Sequence, residues 1–413
     1  MELKVFKFLS LLLLATPSLA GRLAKKPQMG WNSWNTFKYA VDEKLIKSTA
    51  MRLVDTGLAR LGYDYVNIDD GWQTYQRDSN GHQQANATKF PNGIKAVADY
   101  VHSLGLKLGI YSDAGIYDCG FYPGSHGYEE LDASLYAQWD VDYLKYDNCG
   151  GFQMNTLSAQ ERFLRMSYAL KNSGREIFYS LCEWGHQFRW LWADQFSESY
   201  RMSGDIHSAY RADKSGVCTT AYCLNTGYAG VSDLTMIRKM RELSPFQKPG
   251  AWADMDMLEI GTGTMTEYQE QTHFSFWAAL KSPLIIGADI NNISDSSLAI
   301  LKNKDIISIS QDDLGRAANY LPELSEEGEY QIWAGPLSSG RSRHVILVQN
   351  YGSKAINVTL PLASVSGLEK RADRTGLVIR DVWASVDSGK LGETIELKNV
   401  EVDQVKVLVL KKR

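Results

Sequence analysis

Extended runs of one charge are missing from this chain of 413 residues, in which 44 Lys and Arg residues stand against 48 Asp and Glu residues. The formal net charge is −4, and the sequence has no basic stripe of the kind that binds a phosphate backbone. We therefore expect no nucleic-acid partner. After residue 20, no uninterrupted apolar stretch reaches the roughly 18 residues that a membrane-spanning helix needs. We expect no membrane partner either, and the pattern predicts no particular oligomeric state.

Cysteine is scarce, and the five residues form an odd set: Cys119, Cys149, Cys182, Cys218 and Cys223. In an oxidising compartment an odd count leaves one thiol free or paired between chains. Cys218 and Cys223 are close enough in sequence to close a loop. Cys119 and Cys149 both follow predicted strands and could bridge neighbouring loops. The spacing alone proves neither pairing.

The first residues of the chain predict export. Residues 1–20 combine a basic start, a short apolar run and an end of small residues, which is typical of a cleaved secretory signal peptide. We therefore expect a secreted, extracellular protein. In such a protein the sequons at Asn86, Asn292 and Asn357 are candidate glycosylation sites.

The rest of the chain divides into two regions of different pattern. From residue 24 to 315, eight β-rich segments alternate with segments of helical apolar spacing, which predicts a parallel (β/α)8 barrel of the TIM type. Residues 320–413 hold short alternating segments, which predict a C-terminal antiparallel β-sandwich domain. The predicted barrel strands are Met29–Trp31, Tyr65–Ile68, Leu106–Tyr111, Tyr143–Tyr146, Ile177–Leu181, Tyr200–Ser203, Ala251–Ala253 and Leu284–Ile286.

Acidic residues collect where the predicted barrel strands end. An acid after a single strand is explained by capping of the next helix, but seven of the eight segments end in one. The carboxyl ends of barrel strands meet at one mouth, and a buried cation needs a partner. We therefore expect Lys145 and Arg201 to face carboxylates across that mouth. Asp254 and Asp256 are expected to organise the rim rather than perform chemistry.

Two chemistries fit a barrel mouth that is lined by carboxylates. One is glycoside cleavage by two carboxyl groups, and the other is a divalent metal site. The seven histidines form no HxH or HExxH arrangement, and Lys145 and Arg201 would repel a cation. The pattern favours a sugar substrate with no metal and no cofactor. A metal-dependent barrel hydrolase is the weaker alternative.

Eight motifs, in order along residues 26 to 315, resemble the α-galactosidases of glycoside hydrolase family 27. The resemblance implies a barrel followed by an antiparallel β domain, and a retaining exo-α-galactosidase that releases terminal α-galactose from oligosaccharides, galactomannans or glycoconjugates. The alternatives are an α-N-acetylgalactosaminidase of the same family and a galactose-binding barrel without catalysis. The motifs are PQMGWNSWNTF, YVNIDDGW, KLGIYSDAG, DYLKYDNC, SLCEWG, RMSGD, ADMDMLEIG and KSPLIIGAD.

This resemblance implies that Asp147 is the nucleophile and that Asp205 is the general acid and base. A retaining mechanism needs two carboxyl groups roughly 5 to 5.5 Å apart. Lys145, two residues before Asp147 on the same strand face, is expected to lower the pKa of the nucleophile. Asp205 is expected to start protonated. Arg201 is expected to contact the sugar more than it contacts Asp205.

The same resemblance implies a set of sugar-binding residues. Asp69 and Asp70 are expected to accept hydrogen bonds from the 4- and 6-hydroxyls, and the axial 4-hydroxyl is what separates galactose from glucose. Trp34 would pack on the sugar ring, while Tyr111 and Lys145 would hold further hydroxyls.

The segment Cys182, Glu183 and Trp184 is expected, by the same resemblance, to contact the substituent on carbon 2. Its bulk favours a free hydroxyl over an acetamido group.

The resemblance also implies the disulfides. Cys119 and Cys149 would be bridged beside the nucleophile, Cys218 and Cys223 would close a local loop, and Cys182 would stay free. A further bridge of the family is missing, because its two positions hold Tyr39 and Gly71. Its absence is expected to remove a constraint on the first loop without touching the catalytic pair.

Overall fold

The structure, a computed structural model, describes residues 23–151, 157–213, 230–338 and 343–412. The predicted signal peptide at residues 1–20 and the predicted Cys218–Cys223 bridge lie outside the described residues. Within the described part of the chain, no helix combines the length and the apolar character needed to cross a membrane.

Eight parallel strands form one curled sheet and confirm the predicted barrel. They are β1 (Met29–Asn32), β2 (Tyr65–Asn67), β3 (Lys107–Asp113), β4 (Tyr143–Asp147), β5 (Phe178–Leu181), β6 (Ser199–Arg201), β7 (Trp252–Asp254) and β8 (Leu284–Ile286). Their hydrogen-bonded order is β7-β6-β5-β4-β3-β2-β1-β8. The segment after β7 connects the two outer strands, because Leu258 bridges Ile286 in parallel and its N–H donates to the Ile285 carbonyl at 2.7 Å.

Helices fill the connections between the strands. Several begin with a side-chain cap, as at Ser158, whose hydroxyl accepts from the Glu161 N–H while the Glu161 carboxylate accepts from the Ser158 N–H. The helices are α1 (Trp34–Phe37), α2 (Glu43–Asp55), α3 (Gly93–Ser103), α4 (Glu129–Gln138), α5 (Ala159–Asn172), α6 (Asp233–Leu243), α7 (Glu267–Ala279), α8 (Asp295–Leu301), α9 (Lys304–Ser310) and α10 (Arg371–Arg374).

The amino ends of the strands are sealed by an aromatic floor, which we define as the buried cluster of Ala24, Tyr65, Tyr143, Phe178 and Trp252. The rings of Tyr143 and Phe178 stack with centroids 5.0 Å apart. Because alternate residues of a strand share a face, Tyr143 lies below Lys145 and Asp147 on β4. The aromatic floor therefore leaves the opposite end of the barrel as the place for polar side chains.

The C-terminal residues fold into two antiparallel sheets, as the sequence predicts. The strands are β9 (Asn319–Tyr320), β10 (Tyr330–Leu337), β11 (Arg343–Asn350), β12 (Ile356–Pro361), β13 (Leu377–Asp381), β14 (Val386–Lys390), β15 (Thr394–Val400) and β16 (Val405–Lys412). One sheet has the order β14-β13-β16-β11-β10-β9 and the other pairs β12 with β15. Sequence analysis did not predict β9 and β14. The domain packs on the barrel, where Trp333 contacts Phe276 of α7 with ring centroids 5.8 Å apart.

Candidate active site

Asp147 ends β4 at the mouth of the barrel and is only 5% exposed. Its Oδ2 accepts a hydrogen bond from the Tyr111 hydroxyl at 3.3 Å, and its Oδ1 accepts from the Asn148 N–H at 2.9 Å. Burial raises the pKa of Asp147 to about 6, with Lys145 lowering it and Asp205 adding to the rise. Lys145 thus acts with the predicted sign, but burial outweighs it. Asp147 is mainly ionised at neutral pH.

Lys145 and Asp69 form a buried ion pair beside Asp147. The Lys145 ammonium donates to Asp69 Oδ2 at 2.7 Å, and the Asn32 amide donates to the same oxygen at 2.8 Å. Burial alone would lower the pKa of Lys145, but Asp69, together with Cys182 and Asp147, raises it instead. The prediction that Lys145 faces a carboxylate is confirmed.

Arg201 ends β6 and connects the second predicted catalytic acid to the rim. Its guanidinium donates to Asp205 Oδ1 at 3.0 Å and pairs with Asp256 Oδ2 at 2.6 Å. It also reaches Cys182 Sγ at 3.7 Å. Arg201 therefore contacts both Asp205 and Asp256 directly, and its contact with the sugar stays a prediction. The Asp205 side chain keeps 37% of its surface exposed.

The segment expected to contact carbon 2 of the sugar is largely buried. Cys182 is the free cysteine of the described residues, and burial raises the pKa of its thiol. Glu183 is hydrogen-bonded to the guanidinium of buried Arg189, a residue that sequence analysis missed. Burial raises the pKa of Glu183 to about 7, although Arg189 opposes the rise. Trp184 has φ 57, which is uncommon for an aromatic residue.

Asp69 and Asp70 are neighbours in sequence but have different surroundings. Asp70 is buried, and neither carboxyl oxygen has a hydrogen-bond donor among the described residues. Burial is the largest cause of the raised pKa of Asp70, followed by the negative charges of Asp118 and Asp69. Asp118, in the loop after β3, was missed by sequence analysis. Its position directly before Cys119 of an implied disulfide was the available signal.

The Cys119–Cys149 disulfide is present, with the two Cα atoms 5.0 Å apart, as the resemblance implies. It adjoins the site, because the Tyr111 hydroxyl lies 3.2 Å from Cys119 Sγ. These two cysteines, with Asp113 and Asp147, are the group of described residues whose ligand atoms lie as close together as a metal site requires. In the disulfide, however, neither sulfur is a thiolate.

Tyr39 and Gly71, at the positions of the missing bridge, do lie against each other. A Cβ added to Gly71 would stand 2.8 Å from Tyr39 Cδ1, and Gly71 has φ 91. The Tyr39 ring packs edge-on against Trp34 with centroids 5.1 Å apart. Ring packing therefore occupies the space of the absent disulfide and holds Trp34 at the mouth.

Two family models match the chain. The model described as alpha galactosidase A matches residues 26–312, and the model of the alpha galactosidase C-terminal beta sandwich domain matches residues 327–410. Alpha-galactosidase 2 of Arabidopsis thaliana is 44% identical over 345 residues, which cover 83% of this chain and 80% of the relative. Alpha-galactosidase A of Cellvibrio japonicus is 40% identical over 396 residues, which cover 94% of this chain and 92% of the relative.

Solved structures agree with these matches. Alpha-galactosidase I from Mortierella vinacea has a TM-score of 0.89 and 38% identity, covering 95% of this chain and 98% of its own. The alpha-galactosidase from Saccharomyces cerevisiae, solved with raffinose, has a TM-score of 0.87 and 32% identity, covering 96% of this chain and 100% of its own. The chain therefore belongs to the α-galactosidases of glycoside hydrolase family 27.

Proposed function

We propose that this protein is a retaining exo-α-galactosidase, which hydrolyses terminal non-reducing α-D-galactose residues by double displacement. The alpha-galactosidase names of its relatives support the activity. The raffinose in the Saccharomyces cerevisiae structure supports α-galactosides as the substrate class. Galacto-oligosaccharides, galactomannan side chains and glycoconjugates all carry the required terminal sugar.

The observation that carries the mechanism is the contrast between two acids at one mouth, Asp147 at the end of β4 and Asp205 shortly after the end of β6. Asp147 is buried and held by Tyr111 and Asn148, so it is oriented to attack the anomeric carbon as the nucleophile. Asp205 is partly exposed and held by Arg201, so it can exchange protons with water. Asp205 first donates its proton to the departing glycosidic oxygen. It then takes a proton from the water that hydrolyses the galactosyl-Asp147 intermediate.

Galactose recognition is proposed for the wall opposite Asp205. The Asp69–Lys145 ion pair and Asp70 contact the 4- and 6-hydroxyls, and Trp34 lies against the ring. Tyr111 orients Asp147 and faces the sugar, so both the substrate and the nucleophile depend on it. A site built around an axial 4-hydroxyl leaves buried polar groups unpaired when glucose binds.

The space near carbon 2 favours a free hydroxyl. Cys182 and Glu183 are buried, and Arg189 and Arg201 hold them on two sides. An acetamido group would have to displace this packed segment. An α-N-acetylgalactosaminidase is therefore the less favoured alternative, and intact Asp147 and Asp205 disfavour a binding protein without catalysis.

Export is proposed on two grounds. Residues 1–20 have the pattern of a signal peptide, and the Cys119–Cys149 disulfide is typical of an oxidising compartment. N-terminal sequencing of protein recovered from the medium of an expressing culture should begin close after residue 20.

The function is tested with p-nitrophenyl α-galactoside and its N-acetylgalactosaminide. We expect the wild type to prefer the galactoside, to release α-galactose first in a proton NMR time course, and to keep its activity in excess EDTA. Asp147→Asn and Asp205→Asn should both be inactive, while the matched control Asp99→Asn, an exposed acid on α3, should keep full activity. Release of the β-anomer first, or preference for the acetamido substrate, contradicts the proposal.

A further inference from the structure

Two buried carboxyl groups meet beside the proposed galactose pocket. Asp70, directly after β2, and Asp118, in the loop after β3, are each 1% exposed. The two acids lie around one ring, because a Cβ added to Gly71 or to Gly120 would stand 2.8 Å from the Tyr39 ring. The Asp118 side chain forms a hydrogen bond with the Asp70 side chain. Two carboxylates cannot hydrogen-bond to each other without a proton between them. One of the two acids must therefore carry a proton for this contact to be stable.

The donors around the pair decide which acid carries the proton. Asp118 accepts three hydrogen bonds, from the Gln73 amide at 2.5 Å and from the N–H groups of Gly120 and Tyr122 at 2.9 Å each. Asp70 receives none from the described residues. Donated hydrogen bonds stabilise a carboxylate. The negative charge therefore belongs on Asp118 and the proton on Asp70.

The other charged groups near the pair oppose a second negative charge. Lys89 feels the charge of Asp70, but its ammonium donates to the Tyr39 carbonyl at 2.7 Å and the Gly71 carbonyl at 2.6 Å. Burial raises the pKa values of both acids. The negative charge of Asp118 raises the pKa of Asp70 further, whereas the N–H groups of Tyr122 and Gly120 oppose the rise at Asp118. The remaining titratable groups that face the pair are Asp69, Asp113, Asp147, Tyr39, Tyr111 and Tyr122.

We propose that Asp118 is a positioning residue for galactoside binding, which accepts a hydrogen bond from protonated Asp70 and so holds Asp70 as a neutral acid in the sugar pocket. This inference rests on the proposed function. It assigns opposite roles to two adjacent acids: Asp69, paired with Lys145, is a carboxylate that accepts from sugar hydroxyls. Asp70 donates to Asp118 through its hydroxyl and offers its carbonyl oxygen to the sugar.

The first test compares two matched substitutions. In Asp70→Asn the amide can donate to Asp118 and its carbonyl can face the sugar, so we expect kcat/KM to stay within about tenfold of the wild type. Asp69→Asn leaves Lys145 buried without its countercharge, so we expect a loss of more than about a hundredfold. Losses of equal, large size in the two variants overturn the proposal.

The second test uses the pH profile of KM, which a merely structural role would not change. In the wild type we expect KM to rise with pH as Asp70 loses its proton, without a matching change in kcat. In Asp118→Asn the amide donates to Asp70, which then stays ionised, so this rise in KM should vanish. An unchanged rise in Asp118→Asn overturns the proposal. Glu198→Gln, which removes a buried acid at the other end of the barrel, should keep the wild-type profile.

Two further measurements keep the inference testable on its own. If Asp118→Asn does not fold, Gln73→Leu removes a donor to the Asp118 carboxylate and should move the rise in KM to higher pH. Infrared difference spectra should show a protonated-carboxyl band in the wild type that is absent from Asp70→Asn. That band without any galactoside hydrolysis would reject the proposed function alone, whereas its absence overturns the proton assignment.

Discussion

The two ends of the barrel carry different side chains on the same strands: aromatic rings at the amino ends and charged groups at the carboxyl ends. At the amino ends, the aromatic floor is neutral, and the amide nitrogen of its polar neighbour Gln28 donates to Ser199 Oγ at 2.9 Å. At the carboxyl ends, four strands end in a charged residue, namely Asp113, Asp147, Arg201 and Asp254, and Asp70 is buried without a donor among the described residues. A buried polar group without a hydrogen-bond partner costs free energy, and proteins keep such groups where catalysis or binding needs them. Stability is therefore concentrated in the floor, and reactivity in the mouth.

The largest effect that separates the two ends is expected from Asp147→Asn. Removal of the nucleophile should lower kcat by at least about a thousandfold. The free energy of unfolding should not fall, because a buried charge is replaced by a neutral group of equal shape. Enzyme assays combined with urea unfolding measure both quantities. A large loss of stability would show that Asp147 also supports the fold.

The converse change is Phe178→Ala in the aromatic floor. Removing a fully buried ring should cost about 3–5 kcal/mol of unfolding free energy. The kcat of the folded fraction should stay near the wild-type value, because the ring lies below the charged residues of the mouth. Denaturant unfolding measures the unfolding free energy, and active-site titration gives kcat per folded molecule. A strong fall in kcat per folded molecule would mean that the two ends are coupled.

A smaller effect is expected from the hydrogen bond between Tyr111 and Asp147. In the wild type, kcat/KM should fall about tenfold per pH unit below pH about 6, because Asp147 must be ionised to attack. Tyr111→Phe removes a donor to the ionised form, so this acid limb should move to higher pH, and kcat should fall by about tenfold. An unmoved limb would show that another group produces it.

The smallest effect on activity is expected from Glu198, a buried acid directly before β6 at the floor end. Burial raises its pKa from the ordinary 4.5 to about 8. The folded state therefore holds a proton that the unfolded state releases, so this contribution to stability is lost as pH rises from about 4.5 to about 8. Glu198→Gln should flatten that decline in thermal unfolding and leave kcat unchanged. An equally steep decline in the variant would exclude Glu198 as its source.

The strands were predicted from the sequence more reliably than the contacts between residues of different segments. The eight barrel strands follow from local alternation, and the motifs that resemble the family contain all the acids proposed for catalysis. Asp118 was missed because its partner Gln73 lies 45 residues away. Arg189 is only six residues from Glu183, but the irregular turn with positive φ at Gln187 and Phe188 that joins them has no sequence period. The donors that fix the charge state of Asp118 include backbone N–H groups of its loop, and no residue type predicts those. Strand β9 has two residues, too few to show a period, and β14, with the sequence VDSGK, contains a single apolar residue.

The contact between Trp333 and Phe276 means that this side of the barrel is an apolar face, which the C-terminal domain covers. Trp333, Leu347 and Val407 of the C-terminal domain belong to the same apolar core as the barrel residues, and the Trp383 indole donates to Ser275 Oγ at 3.0 Å. A shortened version ending after α9 would present this core to water. Anyone seeking a minimal catalyst from this chain should redesign the outer face of α7 first, or keep both halves.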